Sequence, residues 1–281
     1  MKNKVAAIQL RSEKGSVEKN RLHAVEKVKE AAAAGAKLIA LPELWVTGYG
    51  IGTELFRELG ETPDGETVTM FRQMARELSV VLIIPFPERG KSPMILGEEE
   101  AGESIFISTA VIDSDGELKG VYRKSMLWGA ERGTFSPGPI EYPIFNTSIG
   151  KISVLICYDI EFPEPARLAA LRGADLLVVP SVWSVEAQHR WDIQLPARAL
   201  DNGMYVLGVN TVGEGACGKS KFLGPDGRLK AEASLTGEEI IYGEINPEIL
   251  STVRDTIPYL RDYPLELTPG GKVKTGKIKG A

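Results

Sequence analysis

Apolar residues recur along this chain in two rhythms. Runs such as Val5-Ala6-Ala7-Ile8 and Leu38-Ile39-Ala40-Leu41 are apolar at every position, which predicts strands covered on both faces. Longer stretches return to an apolar residue every three or four positions, which predicts helices. Residues 5–10 read as a strand, and residues 17–35 as a helix with the stripe Leu22, Val25, Val28 and Ala32, closed by Gly35. A strand follows at 37–42, a helix at 67–79 and a strand at 80–85. The second half repeats the order, with strands at 151–156, 175–180 and 204–210 and helices at 163–173 and 188–202. Two stretches read as antiparallel: 104–123, turning at Asp113-Ser114-Asp115-Gly116, and 219–245, turning at Pro225-Asp226-Gly227. Alternating strands and helices predict an α/β fold with covered sheets.

An internal echo runs through the pattern. Gly35-Ala36-Lys37-Leu38-Ile39-Ala40-Leu41-Pro42-Glu43-Leu44-Trp45 aligns with Gly173-Ala174-Asp175-Leu176-Leu177-Val178-Val179-Pro180-Ser181-Val182-Trp183. Each copy follows an Ala-rich helix, which predicts a pseudo-symmetric pair of helix–strand units within one domain. That domain is expected to span 1–267, with a solvated acidic excursion at 91–103 and a flexible basic Gly/Lys tail at 268–281.

Composition narrows the chemistry. The 281 residues carry 33 Lys and Arg against 38 Asp and Glu, a net charge of −5, so no nucleic-acid partner is expected. No apolar run approaches the roughly 18 residues of a membrane span, and the first strand is too short for a signal-peptide core. The expected setting is cytoplasmic, without membrane contact. With 2 Cys and 2 His, neither a disulfide framework nor a Cys/His zinc cage is available, and no metal is expected.

One motif misleads. Gly213-Glu214-Gly215-Ala216-Cys217-Gly218-Lys219-Ser220 has the letters of a phosphate-binding loop. Such a loop needs a helix opening directly after Lys-Ser, and Gly224-Pro225-Asp226-Gly227 forbids one. A serine triad is disfavoured too, because no G-x-S-x-G elbow is present and only His23 and His189 could serve as base.

Ligand clefts of α/β sheets lie at the carboxyl ends of strands. Three polar residues follow apolar strands here: Glu43, Lys124 and Cys157. A cysteine at a strand-to-helix junction is placed as a nucleophile can be. A glutamate can take its proton where histidine is scarce, and a lysine lowers a thiol pKa and holds a developing oxyanion. Cys217 has no such neighbours in sequence and is assigned no catalytic role.

These residues sit in larger motifs: Leu41-Pro42-Glu43-Leu44 with Thr47-Gly48-Tyr49, then Tyr122-Arg123-Lys124, then Cys157-Tyr158-Asp159-Ile160-Glu161-Phe162-Pro163-Glu164. Glu131-Arg132, Phe135, Pro137-Gly138, Ala197-Arg198-Ala199 and Arg261-Asp262-Tyr263-Pro264 accompany them. In order and spacing the chain resembles the nitrilase superfamily of carbon–nitrogen hydrolases over roughly residues 4–265. The resemblance implies a four-layer αββα sandwich with two mixed sheets, a Glu–Lys–Cys triad, no metal or organic cofactor, and a homodimer or higher homo-oligomer. It implies that Glu43 deprotonates Cys157, that Lys124 and the backbone amide of Tyr158 hold the oxyanion, and that Glu131 positions substrate and Lys124.

The residues after Cys157 are similar to those of the amidase and carbamoyl-hydrolase branches, which implies a small-molecule amide substrate. Tyr49, Trp128, Trp183 and Phe162 are candidate pocket walls, and Arg132, Lys151, Arg190 and Lys219 are the cations available to a substrate carboxylate. Met126 and Ile107 depart from the His and Asn that relatives often carry, which leaves the subfamily open. A nitrilase or an N-carbamoyl amino acid amidohydrolase is the alternative within the class. A non-catalytic binding or scaffold protein on the same fold is the alternative outside it.

Overall fold

A computed structural model describes residues 2–91 and 102–267, so most of the 91–103 excursion and all of the 268–281 tail lie outside the described residues. In the first half, β1 (Asn3–Gln9), β2 (Leu38–Ala40) and β3 (Val81–Lys91) run parallel, followed by antiparallel β4 (Glu103–Ile112) and β5 (Leu118–Arg123). Helices α1 (Val17–Ala33), α2 (Thr53–Leu59) and α3 (Glu66–Leu78) fill the connections. In the second half β6 (Phe145–Thr147) precedes β7 (Gly150–Val154), which runs parallel to β8 (Leu176–Ser181) and β9 (Tyr205–Asn210). There the crossovers are α4 (Pro163–Leu171) and α5 (Gln188–Asn202). A tight hairpin of β10 (Val212–Gly213) and β11 (Ala216–Cys217) leads to β12 (Lys221–Leu223) and β13 (Leu229–Glu232). Then β14 (Glu239–Ile245) crosses to the first sheet and pairs antiparallel with β1, before α6 (Pro247–Thr256) and α7 (Tyr259–Asp262).

The described residues thus form two six-stranded mixed sheets, ordered β14-β1-β2-β3-β4-β5 and β13-β12-β9-β8-β7-β6. Their cores explain the uninterrupted apolar runs. Val5 and Ala7, Leu38 and Ala40, Val81 and Ile83 point between the sheets, where they join the residues of β7, β8 and β9. Their neighbours Ala6 and Ile8, Ile39 and Leu41, Leu82 and Ile84 point outward onto Ala24, Val28 and Ala31 of α1 and Val68, Phe71 and Ala75 of α3. On the other side Ala166 and Ala169 of α4 and Trp191, Leu195 and Ala199 of α5 cover the second sheet. The layers are therefore αββα.

The sequence echo falls on equivalent turns. Gly35 and Gly173 both adopt left-handed φ, 89° and 94°, where a side chain would be strained. After each glycine the next amide reaches back to the helix, Ala36 N to Ala31 O and Ala174 N to Ala169 O, both at 3.1 Å. The same turn releases the chain into the central strand of each sheet.

Two expectations are corrected. The buried stripe of α1 is Arg21, Ala24, Val28 and Ala31, and Leu22 is 66% exposed. The stripe turns because Arg21 is drawn inward, where its guanidinium meets Glu61 at 2.8 Å and Glu66 at 2.8 Å. The stretch 219–245 is a hairpin only through β13, since β14 is recruited as an edge of the other sheet.

Phe71 is fully buried and packs edge-on against Trp45, with ring centroids 5.4 Å apart. Phe71→Ala is expected to cost about 3–5 kcal/mol of stability in urea denaturation. Leu22→Ala is expected to change it by less than about 0.5 kcal/mol, as surface substitutions do.

Candidate active site

Each strand-end residue is delivered by its own element. Glu43 stands just beyond β2 of the first sheet, Lys124 directly after β5, and Cys157 just beyond β7 of the second sheet. Glu131 lies in the 3-10 turn Gly129–Gly133, and Cys157 opens the 3-10 turn Cys157–Glu161, which leads into α4. Cys157 has a left-handed φ of 47°, which is uncommon outside glycine and turns the chain sharply off the strand.

Backbone contacts lock Lys124. Its amide donates to Ile107 O at 2.8 Å, and its carbonyl accepts from Gly138 N at 2.8 Å. A Cβ on Gly138 would lie 2.4 Å from Arg123 O, so only glycine allows that approach. Ile107 therefore serves this segment through its carbonyl while its side chain packs in the core.

The structure brings the Lys124 ammonium between two carboxylates. Nζ donates to Glu43 Oε1 at 2.7 Å and to Glu131 Oε1 at 2.8 Å, with all three side chains buried. Glu131 also accepts from Tyr49 Oη at 2.9 Å and from Trp128 N at 2.8 Å. The second oxygen of Glu43 accepts from Val182 N at 2.9 Å. The Cys157 thiol is directed at Val182 O, 3.9 Å away. Val182 was not singled out in the sequence, although the echo aligns it with Leu44, the residue after Glu43.

Burial and charge set the protonation states. Burial pushes the Cys157 thiol well above its ordinary range, Glu43 adds to the shift, and Lys124 opposes it. Burial raises the Glu43 carboxyl against the pull of Lys124. Burial disfavours the Lys124 charge, but Glu43, the thiol and Glu131 outweigh it and hold the ammonium well above the usual lysine range. The resting thiol is thus neutral, beside a lysine that stays charged and a carboxylate with raised proton affinity. Cys217 is buried, with its thiol pushed up to about 11, chiefly by burial.

A cavity of about 140 Å³ reaches Glu43 and is lined also by Tyr49, Val182, Thr211, Lys14 and Glu214. Lys14, which the sequence did not single out, pairs there with Glu214 at 2.7 Å. An open apolar groove of about 340 Å³ runs along Met126, Leu127, Phe135, Tyr158 and Phe162. Trp128, 48% exposed, packs on Tyr158 at 4.9 Å, with the Arg190 guanidinium over its ring. Trp183 is buried against Trp191 at 5.2 Å, and its indole N–H donates to Ala187 O. Among the cations considered for a substrate carboxylate, Lys219 is held by Asp192 at 2.7 Å and Arg190 pairs with Glu161 at 3.5 Å. Arg132 lines the apolar groove, and Lys151 stands in β7 at the end away from Cys157.

The phosphate-loop letters fold as the β10–β11 hairpin, and Lys219-Ser220 feeds strand β12 rather than a helix. His23 pairs with Glu238 at 3.0 Å on α1, and His189 is exposed on α5. Among the described residues no group of three or more His, Cys, Asp or Glu side chains is placed to hold a metal ion. No helix among them is long and apolar enough to cross a membrane.

The family model for carbon-nitrogen hydrolases matches residues 4–255. A probable nitrilase of Schizosaccharomyces pombe is 36% identical over 238 residues, covering 82% of this chain and 83% of its own. The omega-amidase NIT2 of Homo sapiens is 32% identical over 255 residues, covering 85% and 87%. Among solved structures, a double mutant of the amidase from Nesterenkonia sp. AN1 in complex with acrylamide superposes with a TM-score of 0.80 at 26% identity, covering 94% of this chain and 95% of that one.

Removing the shared cation tests the electrostatics. Lys124→Met strands two buried carboxylates, so it is expected to cost about 3–5 kcal/mol of stability. It also removes the cation that favours the thiolate, so the pH profile of Cys157 alkylation by iodoacetamide moves to higher pH. An unmoved profile would show that lysine and thiol are not coupled.

Proposed function

We propose, for a chain that belongs to the carbon–nitrogen hydrolase family, that it hydrolyses small linear amides to a carboxylic acid and ammonia through a thioester on Cys157. The observation that carries this reading is the buried Lys124 ammonium bridging Glu43 and Glu131 in one site with the Cys157 thiol. In this mechanism Glu43 accepts the thiol proton as the sulfur attacks the amide carbonyl. The oxyanion is held by the Lys124 ammonium and the backbone amide of Tyr158. Collapse expels ammonia, which takes its proton from Glu43. Water then attacks the thioester and gives a proton to Glu43, and collapse releases the acid and returns the proton to the thiol. Glu131, already accepting three hydrogen bonds, holds Lys124 in register.

The small cavity beside Glu43 and Tyr49 supports a compact acyl group. The likeness to an omega-amidase and to an amidase holding acrylamide supports an amide substrate. A single catalytic domain ending near residue 267 belongs to the same reading, and so does a cytoplasmic setting, which two unpaired cysteines support. A homo-oligomer is supported by the exposed apolar side chains of Ile193 and Leu200 on α5.

An ammonia-release screen over aliphatic and aromatic amides, ω-amides, carbamoyl amino acids and nitriles tests the proposal. Amides are expected to be the productive class. Cys157→Ala abolishes release, and Glu43→Gln lowers it about 10²–10⁴-fold as a lost acid–base group. Glu43 must be ionised to act and its pKa is raised, so kcat/KM falls with decreasing pH through a value above the ordinary 4.5. Lys124 stays protonated well above 10.5 and contributes no alkaline limb below that value. Full activity in Cys157→Ala would overturn the mechanism, and silence across every substrate class would favour a scaffold.

A further inference from the structure

Asp159 is fully buried, and the mechanism above does not use it. Its Oδ1 accepts from Met126 N at 2.8 Å and Ser125 Oγ at 3.0 Å. Its Oδ2 accepts from Ile156 N at 2.9 Å and Tyr122 Oη at 2.7 Å. Three of these donors, at 122, 125 and 126, bracket Lys124. The fourth, at 156, immediately precedes Cys157. One carboxylate therefore ties the segment that carries the lysine to the turn that carries the cysteine, across the two sheets.

The choice of an acid here is costly unless it does something specific. Among the described residues no cation lies within ion-pair distance of Asp159, and a buried carboxylate without a directly paired cation is expensive. A carboxylate, however, is the small side chain that accepts four hydrogen bonds and offers no donor. Asparagine would turn an N–H toward one of the two backbone amides and leave it unsatisfied. The far end of the turn is fixed separately. Arg198 donates to Ile160 O at 2.9 Å and Glu161 O at 3.1 Å. Held from both ends, the left-handed backbone at Cys157 is over-determined, as a strained functional residue requires.

Resting on the amide-hydrolase reading above, we propose that Asp159 is a positioning residue that fixes the separation of the Lys124 ammonium and the Cys157 sulfur. A misplacement near 1 Å at a reacting centre costs about 10²-fold in rate. In Asp159→Asn, kcat is therefore expected to fall about 10²-fold, with KM changed less than about threefold, since substrate binding is not what Asp159 serves. Cys157 alkylation by iodoacetamide, followed by mass spectrometry of the labelled peptide, slows in parallel. The double variant Tyr122→Phe, Ser125→Ala removes two hydroxyl donors but keeps the carboxylate and both backbone amides. It shows a smaller fall in the same direction, and it carries the comparison alone if Asp159→Asn does not fold. A mere staple would lower Tm and leave kcat per alkylatable site and the alkylation rate within twofold of the parent, and that result overturns the proposal. If the parent releases ammonia from no substrate, the hydrolase reading fails, and the alkylation comparison still decides whether Asp159 sets the lysine–thiol geometry.

Discussion

The Lys124 ammonium is fully buried, and much of the structure follows from that. Taking an ion out of water costs several kcal/mol even after relaxation. Here two carboxylates at 2.7 and 2.8 Å offset that cost. Each carboxylate then needs its own remaining lone pairs met. Glu43 uses Val182 N, and Glu131 uses Tyr49 Oη and Trp128 N. The ammonium thus recruits β2 and β5 of one sheet and the end of β8 of the other, and it does so where the strands present carboxyl ends. Chemistry and inter-sheet architecture are satisfied by one network.

The pseudo-symmetry of the halves makes this possible. Across the inter-sheet core β1 lies against β9 and β14 against β12, and the Glu43 carboxylate reaches Val182 N, so the segment after β2 meets the segment after β8. Glu43 and Ser181 are equivalent in the echo, but only the first half carries the acid. The second half contributes a backbone amide at the next position. The two copies differ at this position of the echo, so that one supplies the carboxylate and the other the donor that orients it.

How much of this could be read from the chain alone depends on the length scale of each interaction. The strands and crossovers were legible because their residues are apolar on both faces, a local property. Glu43, Lys124 and Cys157 were legible because each follows such a strand. What escaped depends on distant partners. The α1 stripe turned away from Leu22 because Glu61 and Glu66 draw Arg21 inward. β14 leaves its hairpin neighbours because β1 offers an unpaired edge. Val182 acts through its backbone, so its side-chain identity carries no signal. Trp183 is a candidate pocket wall, and its packing on Trp191 is set by the helix that follows it, α5. Asp159 stands in the motif that opens at Cys157, but only the approach of residues 122–126 gives it three of its four donors.

The shortage of histidine raises the question of which carboxylate moves the proton. A carboxylate offers about four acceptor positions. Asp159 fills four of them, with Met126 N, Ser125 Oγ, Ile156 N and Tyr122 Oη. Glu131 fills three, with Lys124, Tyr49 and Trp128. Glu43 fills two, with Lys124 and Val182 N. Taking up a proton requires a free lone pair, and a filled position must break a buried hydrogen bond first, at about 1–3 kcal/mol. Of the three acids around Lys124, Glu43 alone keeps two positions open and also lines the cavity. In the proposed mechanism the division of labour follows from that count: Asp159 sets position, Glu131 holds the cation, and Glu43 carries the proton.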